Sequence, residues 1–349
     1  MKVSKRISYI GKKVSIGIDV HRKQYTVTVV VEGIKVDIST MRADPEALIT
    51  YINRRYKGSE VRSAYEAGFS GFTLHRKLVS AGVANIVVNA ASIAVAVRDR
   101  VKTDRRDSLK IAQQLDCNQL KSIRVPSEAE EASRVLHRTR EQHVRQMSRL
   151  RNQIRMKLYQ FGYDLGECFS AKRVKDFVKE ANMFEEVKEA VLSLLAMWEN
   201  TKAEVEKFKE LLQSQADKDP LEARYRSMPG IGRTTSRTLS TELGDMSQFS
   251  NEKHLFGFVG LTPWEKSSGE TSQRGHITKQ GSALLRKILI QSAWIAVRRD
   301  PWMAKEFVRL ASTVGKRRAI VAMARKLIGK ARALFRRNEW YCSPVKFTA

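Results

Sequence analysis

Residues 14–20 read Val-Ser-Ile-Gly-Ile-Asp-Val, a short run rich in β-branched residues that predicts a buried strand. Residues 25–31, Tyr-Thr-Val-Thr-Val-Val-Val, follow at once as a second strand. Glu32-Gly33 is then a turn signal, and 34–40 alternates as a third strand. Further along, 45–56 has helical periodicity, 61–67 and 85–89 predict strands, and helices are expected over 72–81 and from about 104 to 115. Hairpin-linked strands followed by strands alternating with helices predict a mixed α/β sheet flanked by helices. Upstream, residues 1–13 are basic but lead into no apolar segment, so no signal peptide is expected.

The chain has 349 residues, enough for two or three domains. Its 42% hydrophobic content can build a core and excludes a wholly disordered chain. Lys and Arg number 64 against 37 Asp and Glu, a net charge of +27 that exceeds what solubility requires and points to a polyanionic partner. Cys117, Cys168 and Cys342 show no CxxC spacing, so neither a disulfide framework nor a zinc knuckle is available and a reducing cytoplasm is the expected compartment. The longest apolar stretch, residues 84–97, is shorter than the ~18 residues of a membrane helix and contains Asn85 and Asn89, so no membrane span is expected.

Pro126 interrupts the α/β region, placing a first domain over 1–125. Ser127 and the acidic residues after it predict a capped helix to about Phe161, with Met147, Leu150, Ile154, Leu158 and Phe161 along one face. The other face carries Arg134, Arg138, Arg140, Arg145, Arg149, Arg151, Arg155 and Lys157. A second long helix follows, spaced by Val187, Val191, Leu194, Trp198, Val205, Phe208 and Leu212. Residues 126–220 thus form either a coiled-coil arm or two bundle helices. Residues 221–349 read as mixed helix and Gly-rich loop, with amphipathic helices over 282–297 and 317–337.

Four carboxylates stand out. Asp19 ends an apolar strand ahead of His21-Arg22-Lys23, and Glu66 ends a later one. Asp104 and Asp107 are three apart at a helix start, which places both on one face near the positive end of the helix dipole. Four gathered acids cannot all stay ionised without cations, and hard oxygen ligands suit Mg²⁺ or Mn²⁺, the pair of ions that can drive phosphodiester chemistry. Met228-Pro229-Gly230-Ile231-Gly232 between two helices suggests a helix-hairpin-helix whose Gly230 and Gly232 approach a DNA phosphate. Ser267-Ser268-Gly269, ahead of Arg274, His276, Lys279 and Gly281, can place a hydroxyl nucleophile beside phosphate-binding cations; a flexible basic loop has the same composition. The six histidines show no metal-ligand spacing, and His276 stands out only for its place in the serine region.

GIDVHR, YEAG, VVNAASI, KTDRRD, MPGIG, LGDMSQFSNEKHLFGFVGLTPWEKSSGE and GHITKQGSALLRKIL together resemble the DEDD-type insertion-sequence transposases, relatives of the Piv DNA invertase that include bridge-RNA-guided recombinases. The resemblance covers about 14–125 and 221–312. It implies a RuvC-like, RNase H-type first domain in which Asp19, Glu66, Asp104 and Asp107 match the family's acidic tetrad. It also implies a serine nucleophile before a glycine, matched by Ser268 or its neighbour Ser267, with Ser282 a poorer match and Thr278 standing where many relatives have serine. The family works as homo-oligomers, dimers or tetramers, in which one subunit's acids can meet another's serine. It can also take a structured noncoding RNA as guide, acting on DNA at the nucleoid. Arg145, Arg149, Arg155, Arg274 and Lys279 are the expected backbone contacts. A Holliday-junction-type endonuclease would use the same acids with water in place of serine, and a non-enzymatic nucleic-acid organiser would need only the basic helices and the PGIG turn.

Overall fold

Strands β1 (Lys13–Val20), β2 (Gln24–Val31) and β3 (Ile34–Arg42) pair antiparallel in sequence, as the turn signals predict. The chain then runs through helix α1 (Pro45–Arg55), β4 (Glu60–Glu66), α2 (Thr73–Ser80), β5 (Ala84–Val88) and α3 (Asp104–Asp116). β4 lies parallel to β1, and β5 parallel to β4, giving the order β3-β2-β1-β4-β5. Each element falls within two residues of its predicted bounds. The structure, a computed structural model, describes residues 8–94, 103–268 and 271–343.

The two faces of β1 differ. Val14, Ile16 and Ile18 join Leu48 and Ile52 of α1 and Leu74 and Leu78 of α2 in one buried cluster. Each such aliphatic side chain contributes roughly 1.5–3 kcal/mol on burial. The alternate residues face α3. A Cβ on Gly17 would sit 2.1 Å from the Ser108 carbonyl oxygen and 2.4 Å from the Ala112 nitrogen, so only glycine lets the helix backbone lie this close to the strand. Polar bonds fix the contact along its length: the Ser15 hydroxyl donates to Asp116 at 2.8 Å, and the Thr28 and Ser108 hydroxyls pair at 2.8 Å. The N-terminus of α3 consequently lies at the Asp19 end of β1.

The chain divides into two compact units, Met1–Pro126 and Ser127–Ala349. The second begins with α4 (Glu128–Gln160), whose capping box is reciprocal: Glu130 N–H donates to the Ser127 hydroxyl at 3.2 Å, and Ser127 N–H to the Glu130 carboxylate at 2.7 Å. Two further helices, α5 (Ala171–Glu180) and α6 (Glu185–Ala216), complete a helical arm. Leu150, Ile154 and Leu158 of α4 bury against Val187, Val191, Leu195 and Trp198 of α6, with Val174 and Val178 of α5 filling the same cluster. Phe161, expected on the apolar face, is 46% exposed because it caps the helix end.

Helices α7 (Pro220–Ser227), α8 (Arg233–Leu243) and α9 (Glu252–Val259) follow, then the strands β6 (Pro263–Ser268) and β7 (Thr271–Ile277). The last elements are α10 (Ala283–Arg299), α11 (Pro301–Val314) and α12 (Lys316–Arg337). The helices share one core built around Tyr225, Leu239, Leu255, Leu285, Leu289, Met323 and Leu327. The arm and this core belong to the same unit, and α4 binds α8 directly: Arg138 grips the 5%-exposed Glu242 with two bonds of 2.9 Å. Among the described residues no helix is long and apolar enough to cross a membrane, and all three cysteines are exposed and unpaired.

Candidate active site

Asp19 is the penultimate residue of β1, and the tight turn after it holds His21 through a bond from its N–H to the Gln24 carbonyl. The His21 Nε2 lies 3.2 Å from the Asp19 carboxylate and 3.3 Å from that of Asp104, the first residue of α3. Among the described residues these three make the one group of potential metal-ligand atoms lying within 4.8 Å of each other. Burial pushes the Asp19 carboxyl above its usual range; His21 opposes the rise, while Asp104 and Asp107 add to it. Crowded negative charge at a half-buried carboxylate is the electrostatic condition a cation relieves.

Asp107 sits one turn below Asp104, 3.7 Å from the Lys110 ammonium and near enough to Asp19 to act on its charge. Glu66 is placed by register. Ile18 pairs with Tyr65 in the parallel β1–β4 ladder, so Asp19 and Glu66 are the next positions along. Ala64 packs against Ile111 and Leu115 of α3, and Glu66, two residues on, projects from that same side of the sheet. It is exposed and falls outside the three-residue group. An open cleft lined by Gln24, Thr26, Thr40, Thr103, Asp104 and Arg105 adjoins the cluster.

His21 is what sequence reasoning missed. Spacing to another histidine or cysteine is uninformative when the neighbours are carboxylates, one at the end of the preceding strand and one from a distant helix. The usable signal was its place two residues after a strand-end aspartate.

The second unit corrects several expectations. The region read as a Gly-rich basic loop is an antiparallel hairpin of β6 and β7, with Ser267 opposite Ser272 and Ser268 opposite Thr271. Its strands are mostly polar, with Ile277 at the end of β7 packed against the core, so they carry no apolar alternation to read. The side chains of Ser267, Ser268 and Arg274 lie outside the described part of the structure, as does Gly269. His276 and Lys279 are exposed. Thr278 donates its N–H to the Thr262 carbonyl at the hairpin base, and Ser282 caps α10 by accepting from Leu285.

At the PGIG turn the two glycines part ways. Gly230 has φ +75°, and a Cβ there would meet the Ser292 carbonyl oxygen of α10 at 2.2 Å, so this glycine serves packing inside the unit. Gly232 is the N-cap of α8, with open space on its side. The Arg face of α4 also divides. Arg134 donates to the Thr241 carbonyl, Arg138 is bound to Glu242, and Arg155 is half-buried with a 2.6 Å bond to the Glu167 carbonyl. Arg145, Arg149, Arg151 and Lys157 are exposed.

A family model of the DEDD-type IS110 transposases matches residues 16–162, and one described as the transposase IS116/IS110/IS902 family matches residues 222–308. The chain is similar to a putative transposase, y4qE, of Sinorhizobium fredii: 29% identical over 299 residues, covering 78% of this chain and 75% of that protein. It is 24% identical over 284 residues to the transposase for insertion sequence element IS1111A of Coxiella burnetii, with 76% and 75% covered. Over 116 residues, 32% of this chain and 36% of the relative, it is 34% identical to the pilin gene-inverting protein of Moraxella bovis.

Proposed function

The chain belongs to the DEDD-type insertion-sequence transposases, DNA-cutting and -joining enzymes, and on that premise we propose that Asp19, Glu66, Asp104 and Asp107 form its metal-binding catalytic acids and Ser268 its nucleophile. The observation that carries this reading is the Asp19–His21–Asp104 cluster, with Asp107 one turn away and Glu66 at the adjoining strand end. The sheet order, three antiparallel strands followed by two parallel ones, supports a RuvC-like, RNase H-type domain. The donor set is hard oxygen with one imidazole, which fits Mg²⁺ or Mn²⁺. Bound there, the ion would supply positive charge to a scissile phosphate.

The chain's own groups do the rest. Asp19 and Asp104 fix the site at the meeting of β1 and α3, and His21 bridges them, screening one carboxylate from the other. The Ser268 oxygen bonds to phosphorus as the strand's bridging oxygen leaves, and the hydroxyl proton passes to solvent or a neighbouring base, leaving a covalent protein–DNA phosphodiester. Ser267 is the alternative nucleophile. Arg145 and Arg149, with Arg274 and Lys279, hold backbone phosphates; the PGIG turn acts as a helix-hairpin-helix through Gly232. The working form is a homo-oligomer that takes its DNA sites from a noncoding guide RNA.

The test is a protein–DNA adduct on denaturing gels. Ser268→Ala is expected to abolish it. If Ser268→Ala, Ser267→Ala and the double variant all cleave normally, water is the nucleophile and the enzyme is a RuvC-like nuclease. Replacing Arg145 and Arg149 together by Gln should weaken binding to any DNA sequence and flatten the dependence of log K on log salt by about two units. An unchanged slope in filter binding would assign that face to solvent alone.

A further inference from the structure

Where α4 and α6 meet the α7–α8 turn, the second unit encloses a cavity of about 90 Å³. That is room for about three water molecules, or one tetrahedral oxyanion. His137, Arg140, Lys209, Arg226, Arg233 and Arg237 supply its basic lining. His137 is fully buried, and neither ring nitrogen has a hydrogen-bond partner. Leaving a buried polar group unmatched costs about 1–3 kcal/mol, so a polar ligand belongs beside this ring. The Nε atoms of Arg140 and Arg237 are buried and unmatched in the same way.

The acidic groups nearby are already engaged or outnumbered. Glu222 also lines the cavity, but Arg237 holds it at 2.8 Å and the Ser236 hydroxyl at 3.3 Å. Arg140 pairs with Glu141 at 2.9 Å through one terminal nitrogen, and Lys209 with Glu206 at 2.7 Å. Asp217 stands exposed at the edge. Burial pushes His137 below its usual range, with Glu141 and Glu242 opposing and Arg140 and Arg237 adding to the shift. The neutral ring keeps one N–H to donate. At the mouth, Arg226 and Arg233 are exposed on either side of the PGIG turn. α8 begins there at Gly232, with no side chain capping its first N–H groups.

We propose that this cavity is a phosphate pocket that seats one backbone phosphodiester of DNA, with His137 and Arg140 as its deep donors and Arg226 and Arg233 closing its mouth. An oxyanion satisfies the unmatched nitrogens that water or an apolar group would satisfy less well, and guanidinium groups match its geometry. The exposed mouth beside an open helix N-terminus admits a phosphate that remains part of a strand. The pocket shares no residue with the acidic cluster, so it stands whether or not those acids are catalytic.

The experiment follows the histidine imidazole ¹⁵N resonances of the full chain during titration with inorganic phosphate, with His137→Gln identifying the signal. The His137 resonance is expected to move and saturate, and a short DNA duplex at saturating concentration should weaken the apparent phosphate affinity at least tenfold. An unmoved His137 resonance overturns the pocket. Undiminished phosphate affinity with duplex present would mean a free-anion site and overturn the DNA assignment. Because His137 is a core residue, a surface double variant, Arg226→Gln with Arg233→Gln, provides a second measure. It should leave the thermal midpoint in place and reduce the salt slope of DNA binding by about one unit, the signature of one shared phosphate. A loss of about two units, or none, would show that these arginines do not share a pocketed phosphate.

Discussion

His21 and His137 sit in opposite electrostatic settings. His21 is half exposed and stands between two carboxylates at the end of a strand. His137 is fully enclosed, faces Arg140 and Arg237 across a cavity, and finds no hydrogen-bond partner among them. In a chain of net charge +27 the second setting costs nothing in composition, whereas the first demands that scarce acids be gathered. Cationic side chains are abundant enough to fall around any cavity of this unit. Asp19, Asp104 and Asp107 meet only because Gly17 lets α3 settle onto β1 with its N-terminus at the strand's end. The comparison therefore separates a site built by a specific backbone approach from one built on a general excess of charge.

The largest expected effect removes the acid at the centre of the first setting. Asp19→Asn keeps the shape but deletes a charged oxygen, so strand cleavage should fall by at least about a hundredfold while DNA binding, measured by gel shift, stays within about twofold. Equal losses in cleavage and binding would place Asp19 among the DNA contacts and dissolve the contrast.

Next comes the backbone approach itself. Gly17→Ala drives a methyl into the Ser108 carbonyl and the Ala112 nitrogen, and is expected to cost about 3 kcal/mol of stability, read by chemical denaturation. Gly232→Ala, with open space and no positive φ, should cost less than about 1 kcal/mol. A tolerated Gly17→Ala would show that α3 reaches Asp19 without that glycine.

The smallest effect sharpens the electrostatic half. Asp19 titrates above its usual value in the folded chain, so the native state holds its proton more firmly than the unfolded chain does. That contribution is complete below about pH 4, the unfolded value, and is lost as pH rises through the folded one. Under the proposed metal site, a cation would offset the crowded carboxylate charge once pH rises above that range. Mg²⁺ at ten times its Kd should then add about 1.4 kcal/mol, a rise of a few degrees in thermal midpoint by scanning fluorimetry. The rise should shrink as pH falls toward 4 and vanish in Asp19→Asn. A Mg²⁺ effect independent of both would locate the ion elsewhere.

The sheet and its helices were legible because β1, β2 and α3 each carry a local pattern: β-branched runs, a Glu32-Gly33 turn, and acids at a helix start. What escaped was long-range. Arg138 reads as one more solvated cation until Glu242, 104 residues on, is found beneath it. Gly230 reads as a turn glycine, yet its contact is with Ser292 of α10. The β6–β7 hairpin escaped because its mostly polar strands carry no apolar alternation, and α5 because one turn-and-a-half of Val174 and Val178 is too short a pattern to stand out. His21 escaped because its second partner, Asp104, arrives from α3.

The division after Pro126 has a consequence for how the protein is made. The segment that closes the first sheet, with Ile123 N–H bound to the Val87 carbonyl and Ser122 bridging Val88, is the last part of that unit to leave the ribosome. Once it emerges, the acid cluster can be complete while residues 127–349 are still being translated. At elongation of about 5–20 residues per second, the β6–β7 hairpin follows roughly seven to thirty seconds later. Through that interval the nascent chain carries the acid cluster without the β6–β7 hairpin; under the proposed serine mechanism, the order of synthesis itself would delay covalent linkage to DNA until translation is well advanced.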